Sequence, residues 1–428
     1  MYFLYSVFLF FFRIILGALA LFDTKIRRGV EGRKNLFSTI EKYYPTVNPL
    51  RKRILIHVSS FGELEQAKPV ISALKEKYTD VHIHLTFFSP SGYDNAIGTY
   101  KLPDIITYLP FDSNGDVEWF FDVIKPHLVL FARYDLWHNF VHEVHDRNIP
   151  MMLFSATFDS SFGKSLPLIH ALYGKTYSFM NTICTITEAD KTAIVKIARH
   201  LREIIVAGDT RCDQVIARRR IVEESSDQML PVNILQTITS ENLKVLVGGS
   251  TWTYDEEFIV PVIKKAINDG EKLFAIIAPH EVDKPRIEAL LSQCGKGAIL
   301  LSAISNYKDE KIIIVDSIGK LFALYQFASF AYVGGGFGVG VHNVLEPAVW
   351  GVPSIVGSNH KRSKEVSALI GLGAVAQIGR KEEFVEAFAH WFTTDMARSV
   401  ASLTAKNYVY SSQGATEKIM ERIEKLQW

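Results

Sequence analysis

Short, continuous apolar runs recur along the chain, each followed by a polar break and then by apolar residues at helical spacing. The first run is Arg53–Val58, broken by Ser59, Ser60, Phe61, Gly62 and Glu63 before a helical pattern from Leu64 to Lys77. Val81–Phe88, Ile105–Leu109, His127–Phe131, Pro150–Ser155 and Thr182–Thr187 repeat the theme. The stretch from Arg218 to Asn242 is polar and poor in strand pattern, after which the runs restart at Lys244–Gly248, Leu273–Ala278, Lys311–Val315, Ala331 and Pro353–Gly357. Runs without alternation belong to strands buried on both faces, so the pattern predicts parallel sheets covered by helices. Two Rossmann-like α/β domains are expected, at 23–216 and 243–405, joined by a linker at 217–242 and facing a central cleft. The closing segment, 406–428, carries a helix with Met420, Ile423 and Leu426 on one face, which is expected to dock back on the N-terminal domain. Ligands of such sheets collect beyond the strand C-termini, where the polar breaks fall.

Residues 1–22 depart from this pattern. Tyr2 to Phe22 is almost wholly apolar, interrupted by Arg13, and Lys25, Arg27, Arg28, Arg33 and Lys34 follow it. About 20 apolar residues suffice to span a bilayer. The basic flank lies after the apolar run, which disfavours a cleaved signal peptide despite Ala18-Leu19-Ala20. A spanning anchor and a helix lying in the membrane surface, with Arg13 at the headgroups, both remain open. Either puts the body of the protein on the cytoplasmic face of a membrane, with lipid as a partner. The 428 residues are 48% hydrophobic and 22% charged with net charge +1, so no basic field for nucleic acid is expected. Cys184, Cys212 and Cys294 are widely spaced, with neither disulfide nor zinc spacing, and no metal is expected.

Candidate chemistry sits in the polar breaks. Five glycines fall within seven residues (Gly334, Gly335, Gly336, Gly338 and Gly340), followed by His342, Asn343, Glu346 and Pro347. This is either a bare strand-turn-helix corner or a backbone cradle for an anion at a helix N-terminus. Glu346 is placed to accept from ribose hydroxyls. Gly249, Ser250, Thr251 and Trp252 also lead into a helix, where the hydroxyls either cap it or meet a phosphate. Pro279 and His280 end another strand, and Ser317 follows a further one. Glu63, after Gly62, either complements a helix dipole or acts as a general base. Neither a Walker A loop nor the GxGxxG spacing is present. A nucleotide-sugar is the simplest ligand for the C-terminal features.

Taken in order, Phe61-Gly62-Glu63, Gly208 through Asp213, Gly249 through Trp252, Asp316 through Leu321, and Val333 through Pro347 resemble the 3-deoxy-D-manno-octulosonic acid (Kdo) transferases. The resemblance covers nearly the whole chain, and the His-Asn-x-x-Glu-Pro segment at 342–347 is its most specific part. It implies a GT-B glycosyltransferase that moves Kdo from CMP-Kdo onto a lipid A precursor in lipopolysaccharide synthesis, at the cytoplasmic face of the inner membrane, with no other cofactor. By the same resemblance Glu63 is the general base, and Ser60, Gly62 and Asp135 lie on the acceptor side. The donor side comprises Arg211, Ser250, Thr251, Trp252, Pro279, His280, Ser317, Gly335, Gly336, His342, Asn343 and Glu346. The chain departs from the family where Ala278-Pro279-His280 replaces Pro-Arg-His, and where Arg133-Tyr134-Asp135 replaces Glu-Thr-Glu. Ser155-Ala156-Thr157 stands in place of Asn-Ala-Arg. Arg133 and Arg211 are the candidate cations for the Kdo carboxylate. Alternatives are another GT-B enzyme using a UDP-sugar, and a membrane-anchored nucleotide-sugar binding protein without catalysis.

Overall fold

The computed structural model describes residues 2–158, 167–198, 200–225, 229–360 and 363–428. The chain forms two compact units, Met1–Gln214 with Ser412–Trp428, and Val215–Ser411. In the first, β1 (Arg53–Val58), β2 (His82–Phe87), β3 (Ile105–Tyr108), β4 (Leu128–Ala132), β5 (Met151–Ala156), β6 (Thr182–Thr185) and β7 (Ile204–Val206) form one sheet. Their order is β3-β2-β1-β4-β5-β6-β7, every pair parallel. Ile54 of β1 lies opposite both Ile83 and Leu128. Alternate residues feed opposite faces, because successive side chains of a strand point apart. Leu55, Val129, Phe131 and Leu153 pack with Phe120, Phe121 and Phe140 on one face. Ile54, Ile56, Leu128 and Leu130 pack with Leu64, Val70, Ile71 and Leu74 on the other.

Two terminal elements join this unit. The helix Ala415–Lys425 buries Ile419, Met420 and Ile423 in the second of those cores, and Asp213 accepts the Gly414 and Thr416 amides, each at 2.7 Å. The apolar N-terminus forms a helix, Tyr2–Leu19. Its Tyr5 hydroxyl donates to Asp112 at 2.7 Å, and Arg13 pairs with Asp116 at 3.1 Å. Phe10, Phe11, Ile14 and Ile15 on this helix remain exposed. Among the described residues no helix is long and apolar enough to cross a membrane.

The second unit holds β8 (Lys244–Thr251), β9 (Leu273–Pro279), β10 (Ala298–Leu300), β11 (Ile312–Ile314), β12 (Phe330–Val333), β13 (Ser354–Gly357) and β14 (Val375–Ile378). The order is β10-β11-β9-β8-β12-β13-β14, again with parallel pairs throughout. Much of the polar stretch 217–242 is helical: Thr210–Glu224 runs into it and Val232–Ser240 follows. Leu230 and Ile234 from that stretch are buried in the core of the second unit.

The chain crosses from one side of its first strand to the other between β3 and β4 and between β11 and β12, so β1 and β4, and β8 and β12, are neighbours at a switch point in strand order. Crevices beyond the strand C-termini at such switch points are where open parallel sheets bind ligands.

Candidate active site

At the first switch point β1 delivers Ser59, Ser60 and Glu63, and β4 delivers Arg133 and Asp135. The helix predicted to begin at Leu64 begins at Phe61, which places Glu63 in its first turn. Glu63 is only 2% exposed, and its Oε2 accepts from the Ser59 amide. Burial, and after it repulsion from Asp135, pushes this carboxyl up to about 7, against the opposing pull of the Ser59 and Ser60 amides and of Arg133. A carboxylate serving only the helix dipole would be held ionised, with its pKa lowered. Here desolvation wins, so the group is poised near neutrality as a general base requires.

Asp135 is fixed from the strand below it. Its Oδ2 lies 3.1 Å from Nε2 of His57, whose Nδ1 lies 3.0 Å from Thr86 Oγ1. His57 is wholly buried in β1. The sequence gives no sign of this role, since one histidine inside an apolar strand reads as core. Ser60 precedes the helix without a side-chain capping bond, and a Cβ added at Gly62 would meet nothing nearer than Ser60 Oγ at 4.0 Å.

At the second switch point the glycine stretch meets the end of β8. Its amides are largely engaged: Gly334 donates to Gly249, Gly335 to Asp255, and Gly338 and Gly340 both to the Gly335 carbonyl. The expected cradle of free glycine amides is corrected here, because the Gly335 amide is held by the buried Asp255 carboxylate. Asp255 also accepts from the Trp252 amide at 2.9 Å and the Tyr332 hydroxyl at 2.7 Å. The glycines are needed for close approach. A Cβ on Gly334 would stand 2.2 Å from the Ser250 carbonyl, and one on Gly336 2.5 Å from the Gly357 nitrogen. Gly335 adopts a φ of +88°, a region open mainly to glycine.

Ser250 and Thr251 lie within β8 rather than opening a helix, and Ser250 takes the left-handed conformation with a φ of +51° at the bulge between Gly249 and Thr251. The Thr251 hydroxyl donates to the buried Glu256 at 2.6 Å, so its proton is already committed. Trp252, His280 and His342 form a stack, with ring centroids 4.6 Å apart for Trp252–His280 and 4.5 Å for His280–His342. The indole Nε1 donates to His342 Nε2 at 3.0 Å. Burial and then His280 push His342 down to about 4, so it stays neutral at physiological pH with its proton on Nδ1. Pro279 ends β9, and the His280 amide donates to the Thr251 carbonyl at 2.8 Å.

The remaining candidates divide. Glu346 Oε1 accepts from Arg218 at 2.8 Å, and that guanidinium stands 4.1 Å over the Phe322 ring. The helix carrying Glu346, Leu345–Val349, has only five residues, and Asn343 Oδ1 accepts the Leu345 amide at 3.0 Å. A helix that short offers little of the expected dipole. Ser317 is exposed in the loop after β11. Arg211 belongs to the first unit, unlike the other donor-side candidates, and pairs with the buried Asp209 at 2.6 Å. The sequence assigns no role to Asp255 or to Arg218. Among the described residues no group of His, Cys, Asp or Glu is placed to hold a metal ion.

The family described as 3-deoxy-D-manno-octulosonic-acid transferase (kdotransferase) matches residues 33–214, the span that holds Glu63 and Asp135. The chain is similar to the 3-deoxy-D-manno-octulosonic acid transferase of Haemophilus influenzae, 21% identical over 382 residues that cover 88% of this chain and 87% of that one. In fold it is similar to the UDP-GlcNAc 2-epimerase of Neisseria meningitidis bound to UDP-GlcNAc, with a TM-score of 0.59 at 14% identity over 87% of this chain and 100% of that one. It is likewise similar to MurG of Acinetobacter baumannii, with a TM-score of 0.55 at 13% identity over 87% and 99%. Paired Rossmann-like units, with a buried carboxyl at the switch point of the matched one, agree with this: over residues 33–214 the chain carries the 3-deoxy-D-manno-octulosonic-acid transferase model, over most of its length it is similar to such transferases, and it is a glycosyltransferase.

Proposed function

We propose that the chain transfers Kdo from CMP-Kdo to a hydroxyl of a lipid A precursor by direct displacement with inversion, Glu63 taking the hydroxyl proton. The observation that carries this reading is Glu63 itself: a buried carboxyl at the sheet's switch point, with its pKa pushed up to about 7. Near neutral pH such a group is partly ionised, yet basic enough to accept a proton as the acceptor oxygen attacks. Asp135, held by His57, keeps Glu63 basic through its charge and is the acceptor-side partner. As the hydroxyl oxygen bonds to the anomeric carbon, the bond to the CMP oxygen breaks and CMP leaves as the anion. Positioning and phosphate stabilisation then carry most of the rate enhancement.

On the donor side, Ser250, Ser317 and Asn343 supply polar groups for CMP, the rings of Trp252, His280 and His342 supply a stacked wall, and Glu346 accepts from the ribose. Arg218 orients Glu346 from behind. Exposed aromatic and aliphatic residues on the helix Tyr2–Leu19, with Lys25 and Arg28 after it, support attachment at the cytoplasmic face of the inner membrane. Product mass analysis with CMP-Kdo and a tetra-acylated lipid A precursor tests donor and acceptor together. A product heavier by one or more Kdo units is expected. Binding competition in which UDP displaces donor better than CMP, with no Kdo product, would reject the reading.

A further inference from the structure

A cavity of about 320 Å³ separates the N-terminal helix from the body of the first unit. Its apolar walls are Leu9, Phe10 and Phe12 on the helix side and Phe88, Phe111 and Trp137 on the body side, with Arg13, Asp112, Ser113, Asn114 and Asn139 completing the lining. Phe88 and Trp137 stack with centroids 4.7 Å apart and an interplanar angle of 27°. Both ends of the helix contact are tied by polar bonds, Tyr5 to Asp112 and Arg13 to Asp116, so the space between them is held open rather than left by a loose element. Ligand pockets start at about 300 Å³, and apolar walls with a few polar groups are their usual lining.

We infer that this cavity is a subsite for a single acyl chain of the acceptor lipid. Three observations select that occupant. The polar groups of the lining are largely engaged, Arg13 with Asp116, Asp112 with Tyr5 and the Asn139 amide, and the Asn139 side chain with the Asp112 carbonyl, so the hydroxyls of a sugar or the phosphate of a nucleotide would find few partners there. Phe10, which lines the cavity, is also 63% exposed and continuous with exposed Phe11, Ile14 and Ile15, so the mouth opens on an apolar surface suited to a bilayer. Trp137 carries a buried indole N–H with no hydrogen-bond partner, a donor suited to the ester, amide or hydroxyl oxygen near the head of an acyl chain. The position fits the chemistry as well. Phe88 and Phe111 follow β2 and β3, and Trp137 lies two residues beyond Asp135, so the cavity shares the sheet edge that carries Glu63. An acceptor with one chain seated there presents its sugar toward that edge.

The proposal rests on the lipid-acceptor reading above, and its test separates the two. Asn114 is exposed and lines the cavity, so N114W fills the space without disturbing the core. Full-length protein in lipid nanodiscs is assayed with the acylated precursor and with its fully deacylated sugar backbone. N114W is expected to raise KM about tenfold for the acylated acceptor, the loss if roughly two methylenes are kept out, and to leave the deacylated one unchanged. W137F, which keeps the stack and removes the N–H, is expected to cost about fivefold with the acylated acceptor alone. Equal effects of N114W on both acceptors, or on neither, overturn the subsite. If wild-type protein transfers Kdo to neither acceptor, the functional reading fails instead. The subsite is then decided by tryptophan fluorescence against a phospholipid with brominated acyl chains, W137F serving to isolate the Trp137 signal. Here N114F, which fills the space without adding a fluorophore, replaces N114W: quenching of Trp137 that N114F abolishes supports the subsite, and quenching that N114F leaves intact refutes it.

Discussion

Replacing Glu63 by glutamine removes the proposed base while keeping the side chain's shape and an oxygen for the Ser59 amide. Two consequences follow from the burial of this carboxyl, which raises it from the ordinary 4.5 to about 7. The folded protein holds the Glu63 proton to higher pH than the unfolded chain does. The contribution of this group to stability is thus present in full below pH 4.5 and is lost as pH rises through 7. The shift corresponds to roughly 3 kcal/mol between the two ends of that window. Glutamine never ionises, so E63Q should melt at or above the wild-type temperature at pH 8, and its stability should vary less between pH 4.5 and 7. Activity should move the other way. Loss of a general base lowers turnover by a factor of about a hundred to ten thousand. Wild-type kcat/KM for Kdo transfer should climb along a limb centred near pH 7, and that limb should be absent from the residual rate of E63Q. The assay is product formation from labelled CMP-Kdo at matched pH, with circular dichroism melts on the same samples. Retention of more than about a tenth of wild-type turnover, or a flat wild-type profile between pH 5.5 and 8, would refute the assignment.

Asp135 repels the Glu63 charge, so D135N should displace the limb of the pH–rate profile toward acid, a result a purely structural Asp135 would not give. E346A, which strands Arg218 and removes the proposed ribose acceptor, should weaken CMP binding in a calorimetric titration about tenfold or more while leaving the fold intact; unchanged affinity rules out the ribose role. G335A forces a Cβ to 2.3 Å from the Gly340 carbonyl at a φ of +88°, and should cost roughly 2 kcal/mol or more by denaturant melting.

How much of the molecule was legible depended on how completely each strand is buried. Arg53–Val58 and Leu273–Pro279 are covered on both faces, so their apolar runs are unbroken and their boundaries fall within a residue or so of those expected. The short strands β7, β10 and β14 were not anticipated. They lie at sheet edges, where strands are short and partly exposed: the apolar runs at 204–207 and 298–301 are only four residues long, and Gln377 interrupts the third. The polar stretch 217–242 misled for the converse reason, since surface helices keep a polar face.

For the site, the sequence determined where chemistry could be: after the strands, at Glu63, at Gly249–Trp252, and along the glycines to Glu346. Strand ends and glycine clusters are local features, and local order suffices to place them. Only the tertiary structure decided the surroundings of those residues. Burial and the neighbouring Asp135 push the Glu63 carboxyl up, where a helix-dipole carboxylate would be held down, and Asp135 lies more than 70 residues away in the chain. The same holds for Gly335, whose amide turns inward to Asp255, and for Gly338 and Gly340, whose amides meet the Gly335 carbonyl, while Gly334 and Gly336 are needed for close approach. Desolvation and close contact are properties of what surrounds a residue, and those surroundings exist only once the strands have paired.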